Sequence, residues 1–168
     1  MDTTAIVVII ITTLLTTAAI SGFVWFLFSK TLEKDFTLKN IQSIFNKHVE
    51  KAKFSSAINE LKKINASHLE LSVADGHETF FSRAGKQLTS QAKYSAIAVS
   101  EQVDLEALKE AIKARNSGMI DFKTFCQQAA KSGVNYWQVQ VEGLSCTYFS
   151  LANKVIHSET YTDQNIFY

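Results

Sequence analysis

The stretch "VADGHETFF" gathers Asp75, His77 and Glu78 within four positions. An imidazole oriented by a carboxylate is a common proton shuttle, so these three are the chain's most direct candidates for acid/base chemistry. Cys146, in "VEGLSCTYF", is the candidate nucleophile, because an accessible thiol can be activated as a thiolate. They support one reading of the chain: an enzyme of unknown reaction using His77 or Cys146. Two features oppose it. Successive strand residues point to opposite faces, which separates His77 from Glu78. Asp75-Gly76 reads as a two-residue type I′ hairpin turn, which accounts for the aspartate without catalysis. Cys126 shares an apolar helical stripe with Phe122 and Phe125 and reads as a small buried hydrophobe. The four histidines show no metal-ligand spacing, and no Gly-rich nucleotide or phosphate loop appears, so neither metal nor cofactor is expected.

The elements that must position these residues occur twice. At an offset of 68 the chain pairs Lys63 with Lys131, Val73 with Val141, Thr79 with Thr147, Phe81 with Phe149, Ser82 with Ser150 and Lys86 with Lys154. In the second copy Gly143, Ser145 and Cys146 stand where the first has Asp75, His77 and Glu78, so the scaffold itself does not require the three. Turn chemistry recurs as well: Gly143-Leu144 reads as type II′, while Gly85 matches Asn153 and Asn65 matches Gly133, residues that tolerate positive φ. After N-cap candidates Thr37 and Asp104, one helix face carries Leu38, Ile41 and Phe45, and its counterpart Leu105, Leu108 and Ile112. Leu69, Leu71 and Val73 alternate with His68, Glu70 and Ser72, just as Trp137, Val139 and Val141 alternate with Tyr136, Gln138 and Gln140.

The predicted fold class is α+β: an N-terminal transmembrane helix (3–29), a short tether (30–36) and a two-layer domain (37–168). The domain holds two tandem ααβββ repeats, 37–94 and 104–161, related by pseudo-twofold symmetry and sharing one sheet. In the second strand of each repeat, the more similar face is assigned inward, namely Thr79 and Phe81, and Thr147 and Phe149. Helices cover one side of the sheet. The open side is the candidate binding face, with His68, Glu70, Tyr136, Gln138, Cys146 and Tyr148.

From Thr3 to Ser29 there is no formal charge, and at about 1.5 Å per residue the segment would give a helix of roughly 40 Å, enough to span a bilayer. Lys30, Lys34 and Lys39 follow it and no Lys or Arg precedes it, so the positive-inside rule places the domain in the cytoplasm of a single-pass inner-membrane protein. A basic n-region is absent, which argues against a cleaved signal peptide. Ala18 and Gly22, four apart, could pair such anchors into a dimer. The chain carries 17 Lys and Arg against 16 Asp and Glu, which gives no electrostatic case for nucleic acid. Two cysteines cannot form a disulfide scaffold. With no proline in the chain, its turns fall to Gly, Asn, Asp and Ser.

"VADGHETFF", "AKY", "IDFKTFCQQAAKSGVNYW" and "CTYF", in that order, resemble the YbcV/YdfO-like domain-of-unknown-function family, often labelled "phage envelope protein". The resemblance covers about residues 36–161. It implies a small α+β bacterial domain and carries no catalytic residue across. The chain departs from the pattern by its apolar N-terminus and by "SQAKY", where relatives often have a proline. Three functions stand as expectations: a membrane-anchored binding module for an unknown protein or small molecule, an enzyme, and a phage- or envelope-associated structural part.

Overall fold

A computed structural model describes residues 34–49 and 54–160. Helices α1 (Leu38–Val49) and α2 (Phe54–Lys63) precede strands β1 (Ala66–Ser72), β2 (Glu78–Ser82) and β3 (Gln87–Thr89). The same order returns as α3 (Leu105–Asn116), α4 (Phe122–Lys131), β4 (Val134–Gln140), β5 (Ser145–Ser150) and β6 (Val155–Thr160). The six strands form one antiparallel sheet in the order β3-β2-β1-β4-β5-β6. β1 pairs with β4 at the centre, with Glu70 opposite Gln138. That pair lies beside the pseudo-twofold axis.

Side-chain caps start the helices, at Thr37 and Asp104 as the sequence indicates and also at Asp121. Asp104 accepts from the Ala107 amide at 3.0 Å, Asp121 from Thr124 at 2.7 Å, and Thr37 from Asn40 at 3.2 Å. The helices bury Ile41, Ile58, Leu61, Leu108, Phe125 and Ala129 against Leu69, Leu71, Phe80, Trp137 and Val139 of the sheet. Trp137 is the centre of this layer, with the Phe125 ring at 5.4 Å and the Phe122 ring at 6.2 Å, both edge-on.

The expected fold class is corrected in one major respect. The described fold is a single α+β domain of four helices and one sheet, and among the described residues no helix is long and apolar enough to cross a membrane. Each helix runs 10 or 12 residues with one apolar face, about half of the roughly 20 apolar residues a bilayer requires. Segment 3–29, on which the transmembrane expectation rested, lies outside the described residues, as do residues 30–33 of the tether.

The inward side of the second strands is also corrected. Phe80, Cys146 and Tyr148 face the helices, whereas Phe81, Thr147 and Phe149 face the open side. Register decides this: Phe80 lies opposite Leu69, Cys146 opposite Val139 and Tyr148 opposite Trp137, and directly opposed residues share a face. Turn types differ too. Only Gly76 has positive φ in the first hairpin, whose connection runs through residues 73–77, so it is not a two-residue type I′ turn. In the other hairpin both Gly143 (φ 84°) and Leu144 (φ 48°) are positive and the connection runs through residues 141–144, so it is not the expected two-residue type II′ turn. Asn65, Gly133, Gly85 and Asn153 all adopt the expected positive φ.

Residues 90–103 connect the repeats as a strap. The Lys93 and Tyr94 amides donate to the Asp75 carbonyl at 2.9 and 3.2 Å, and the Ile97 amide to Ala74 at 2.7 Å. The Tyr94 hydroxyl donates to the Val73 carbonyl at 2.8 Å. Farther on, the Ser100 amide reaches Ala130 and the Asp104 amide reaches Ser132, at the end of α4. The strap thus grips the first hairpin turn of one repeat and a helix terminus of the other.

Candidate functional site

On the open face, cross-strand pairing aligns Thr89, Thr79, Glu70, Gln138, Thr147 and Ser158 in one polar row across all six strands. Its members bond to one another: Thr79 and Thr89 hydroxyls at 3.3 Å, Gln138 Nε2 donating to Glu70 Oε1 at 3.2 Å, Thr147 and Ser158 hydroxyls at 3.0 Å. Gln140 donates to the Gln138 side-chain oxygen at 3.1 Å. Two ring pairs flank the row. His68 stacks on Phe81 at 4.2 Å between centroids, and Tyr136 stacks on Phe149 at 4.8 Å. Each member of one pair lies 68 residues from its counterpart in the other, so the twofold axis relates the two platforms. Val155, 61% exposed, extends the second platform toward the sheet edge.

The charge on this face is small. Partial burial lowers the His68 pKa below the ordinary 6.5, with the Glu70 carboxylate opposing that shift only partly. Partial burial raises the Tyr136 pKa, and Glu70 adds to it. Both rings are therefore neutral near pH 7, and Glu70 is the one carboxylate in the row.

The structure brings four of the six predicted face residues together: His68, Glu70, Tyr136 and Gln138. Cys146 and Tyr148 are corrected; both are fully buried beneath the helices, because they stand opposite Val139 and Trp137 on the inward face. The Tyr148 hydroxyl donates to Glu159 Oε1 at 2.9 Å on that same side. A thiol with no exposure offers no route for a substrate, so the structure removes the basis for Cys146 as a surface nucleophile. Cys126 is likewise fully buried, and burial pushes its pKa up to about 11. Phe81 and Phe149 are the face residues that sequence reasoning missed. Their identity across the repeats was the available signal, but it was read as a core signature.

Asp75, His77 and Glu78 do not converge. His77 Nδ1–H donates to Asp75 Oδ1 at 2.6 Å, and the His77 amide donates to the same oxygen at 3.2 Å. Glu78 points to the helix side, where Lys93 Nζ donates to its Oε1 at 2.9 Å. Asp75 and His77 thus make a closed pair in a turn. Burial raises the Asp75 pKa, but the His77 amide and ring and the Ser72 hydroxyl together outweigh it, so the net value falls below the ordinary 3.8. A depressed carboxylate pKa contributes stability above the unfolded value, and that contribution is lost as pH falls through the folded one. Asp75→Asn should therefore lower stability at neutral pH, with the difference from the wild type shrinking as pH falls through the depressed folded-state pKa, as acid titration of chemical denaturation would read. His77→Ala should cost about 0.5 kcal/mol, since the pair is partly exposed. A loss several-fold larger would mean that His77 does more than brace the turn.

Among the described residues no group of three or more His, Cys, Asp and Glu is placed to hold a metal ion. A family model described as "Protein of unknown function (DUF1398)" matches residues 42–160. No curated protein matches the chain closely enough to lend it a function.

Proposed function

We propose, from the premise that this chain belongs to the DUF1398 family of proteins of unknown function, that its domain is an interaction module docking a partner protein on the open sheet face. The observation that carries this reading is the twofold-related pair of ring platforms, His68/Phe81 and Tyr136/Phe149, flanking one bonded polar row. Aromatic side chains that lose little entropy on binding are the usual anchors of protein interfaces. A surface built from pleated strands is broad and shallow, and suits another protein surface better than a small molecule, which needs a concavity around it. Near-neutral charge argues against a nucleic acid partner, for which phosphate neutralisation supplies most of the affinity. Glu70, near the axis, favours a partner with a Lys or Arg opposite it.

The test is site-specific photo-crosslinking in cells. A photoreactive residue at Gln138 should yield one reproducible protein adduct, and the same residue at Lys109, on an exposed position of α3, should not. Adding Tyr136→Ser should weaken capture about tenfold, and Glu70→Lys by a similar factor, with thermal unfolding nearly unchanged, since hot-spot truncations cost about 1–2 kcal/mol. Equal adducts from both positions, or none from Gln138, would overturn the reading.

A further inference from the structure

On the opposite side of the sheet, a cleft of about 830 Å³ opens between α1 and the β2–β3 edge. Phe45 and Phe80 form its apolar floor, their rings 6.1 Å apart. Gln42 and Asn46 on α1 form one wall, and the Glu78–Lys93 pair forms the polar end. The Glu78 side chain is only 10% exposed. Glutamate is almost never this buried without a partner, and here the pair stands at the end of an apolar cleft, where a few placed polar groups can fix a ligand's orientation.

The duplication supplies an internal comparison. Glu78 corresponds to Cys146, which is fully buried in the second repeat, so the fold does not demand a carboxylate at that position. Lys93 lies in the connecting strap, and the position 68 residues on, Tyr161, lies outside the described residues. The corresponding place in repeat two is a smaller cleft of about 460 Å³ lined by Lys109, Lys113 and His157, where Lys109 and Lys113 replace Gln42 and Asn46. Two clefts in equivalent places therefore differ in chemistry, and only the first joins an acid, a base and an aromatic floor.

We propose that the first cleft binds a free α-amino acid with a large apolar side chain. Its ammonium and carboxylate share one carbon, so both reach two groups that are themselves in contact. A carboxylate accepts about four hydrogen bonds and an ammonium donates three, and Lys93 Nζ also lies 5.4 Å from the Phe122 ring centroid, so a bound amino acid would share Glu78 and Lys93 with the contacts they already make. A ligand of one charge sign would gain one of these contacts and be repelled by the other. The side chain covers Phe45 and Phe80, and the amides of Gln42 and Asn46 bond what remains of the head group. This site is independent of the open-face reading.

The probe is L-tryptophan, titrated into the full chain by calorimetry beside tryptamine and indole-3-propionate, which keep one charge each. Tryptophan should bind at least tenfold more tightly than either analogue. Glu78→Gln and Lys93→Met should each weaken it tenfold or more. Should Glu78→Gln fail to fold, Gln42→Trp fills the cleft from an exposed position and should abolish binding with an unchanged melting temperature. Tyr136→Ser, on the far side of the sheet, should leave tryptophan binding intact. No binding at millimolar tryptophan, equal binding of the analogues, or indifference to Gln42→Trp would overturn the proposal.

Discussion

Gly133→Ala is expected to destabilise the domain by about 3 kcal/mol or more, combining positive-φ strain with overpacking against backbone. Gly133 ends α4 at φ 85°, a region a side chain seldom enters. A Cβ there would stand 2.6 Å from the Gln102 carbonyl oxygen and 3.0 Å from the Val103 Cα. These are main-chain atoms of the strap, held on either side by the Ser100 and Asp104 amides, so they cannot rotate away as a side chain could. Repeat one shows that the conformation alone does not require glycine, because Asn65 occupies the equivalent place at φ 68°. Asn65→Gly should change stability by only about 0.5 kcal/mol. Urea denaturation of both variants is the measurement. A Gly133→Ala cost below about 1 kcal/mol would mean that the strap yields, contrary to its hydrogen bonding.

Gly76→Val should be nearly as damaging, again about 3 kcal/mol, though for a different mixture of reasons. Its φ of 75° is hostile to a β-branched residue, and the new Cβ would lie 2.6 Å from the Tyr94 Cε1. That ring is a side chain and can move, but moving it breaks the Tyr94 hydroxyl bond to Val73 and loosens the strap where it meets the hairpin. Combining Gly76→Val with Tyr94→Ala separates the two contributions. If the clash matters, the double variant should be less unstable than the sum of the singles, whereas simple additivity would show that φ strain accounts for the whole effect.

These two glycines show what could and could not be read from the chain. Positive φ at Asn65, Gly133, Gly85 and Asn153 was legible because few residues tolerate it and because both repeats agree. Alternation in β1 and β4 was legible because each strand has one apolar and one polar side. β2 and β5 gave no such contrast. Phe80 and Phe81 are adjacent aromatics, as are Tyr148 and Phe149, so hydrophobicity could not choose a face, and the identity of Phe81 with Phe149 reflected the shared platform of the open side. The Glu78–Lys93 pair was hidden for another reason. It joins a strand to a connector without helical or strand periodicity, and the position 68 residues on is a tyrosine, so nothing in the chain placed Lys93 near the acid. Apolarity over 3–29 showed only that a helix there would be long enough to span a bilayer, and the described helices are short and amphipathic.

The central β1–β4 seam also has a kinetic meaning. Within each repeat, every strand pairs with its neighbour in sequence, so each half is made of short-range contacts. The seam alone joins strands whose facing residues, such as Glu70 and Gln138, are 68 positions apart. Closing so large a loop costs entropy before any reward arrives, and such steps are slow. Local pairing favours forming the two three-stranded halves before the seam, and a half that forms first exposes an unpaired β1 or β4 edge able to recruit the wrong copy of the other half. Identical seams on neighbouring chains make exchange of repeats the characteristic misfolding hazard of this architecture, and the short strap keeps the correct partner at the higher local concentration.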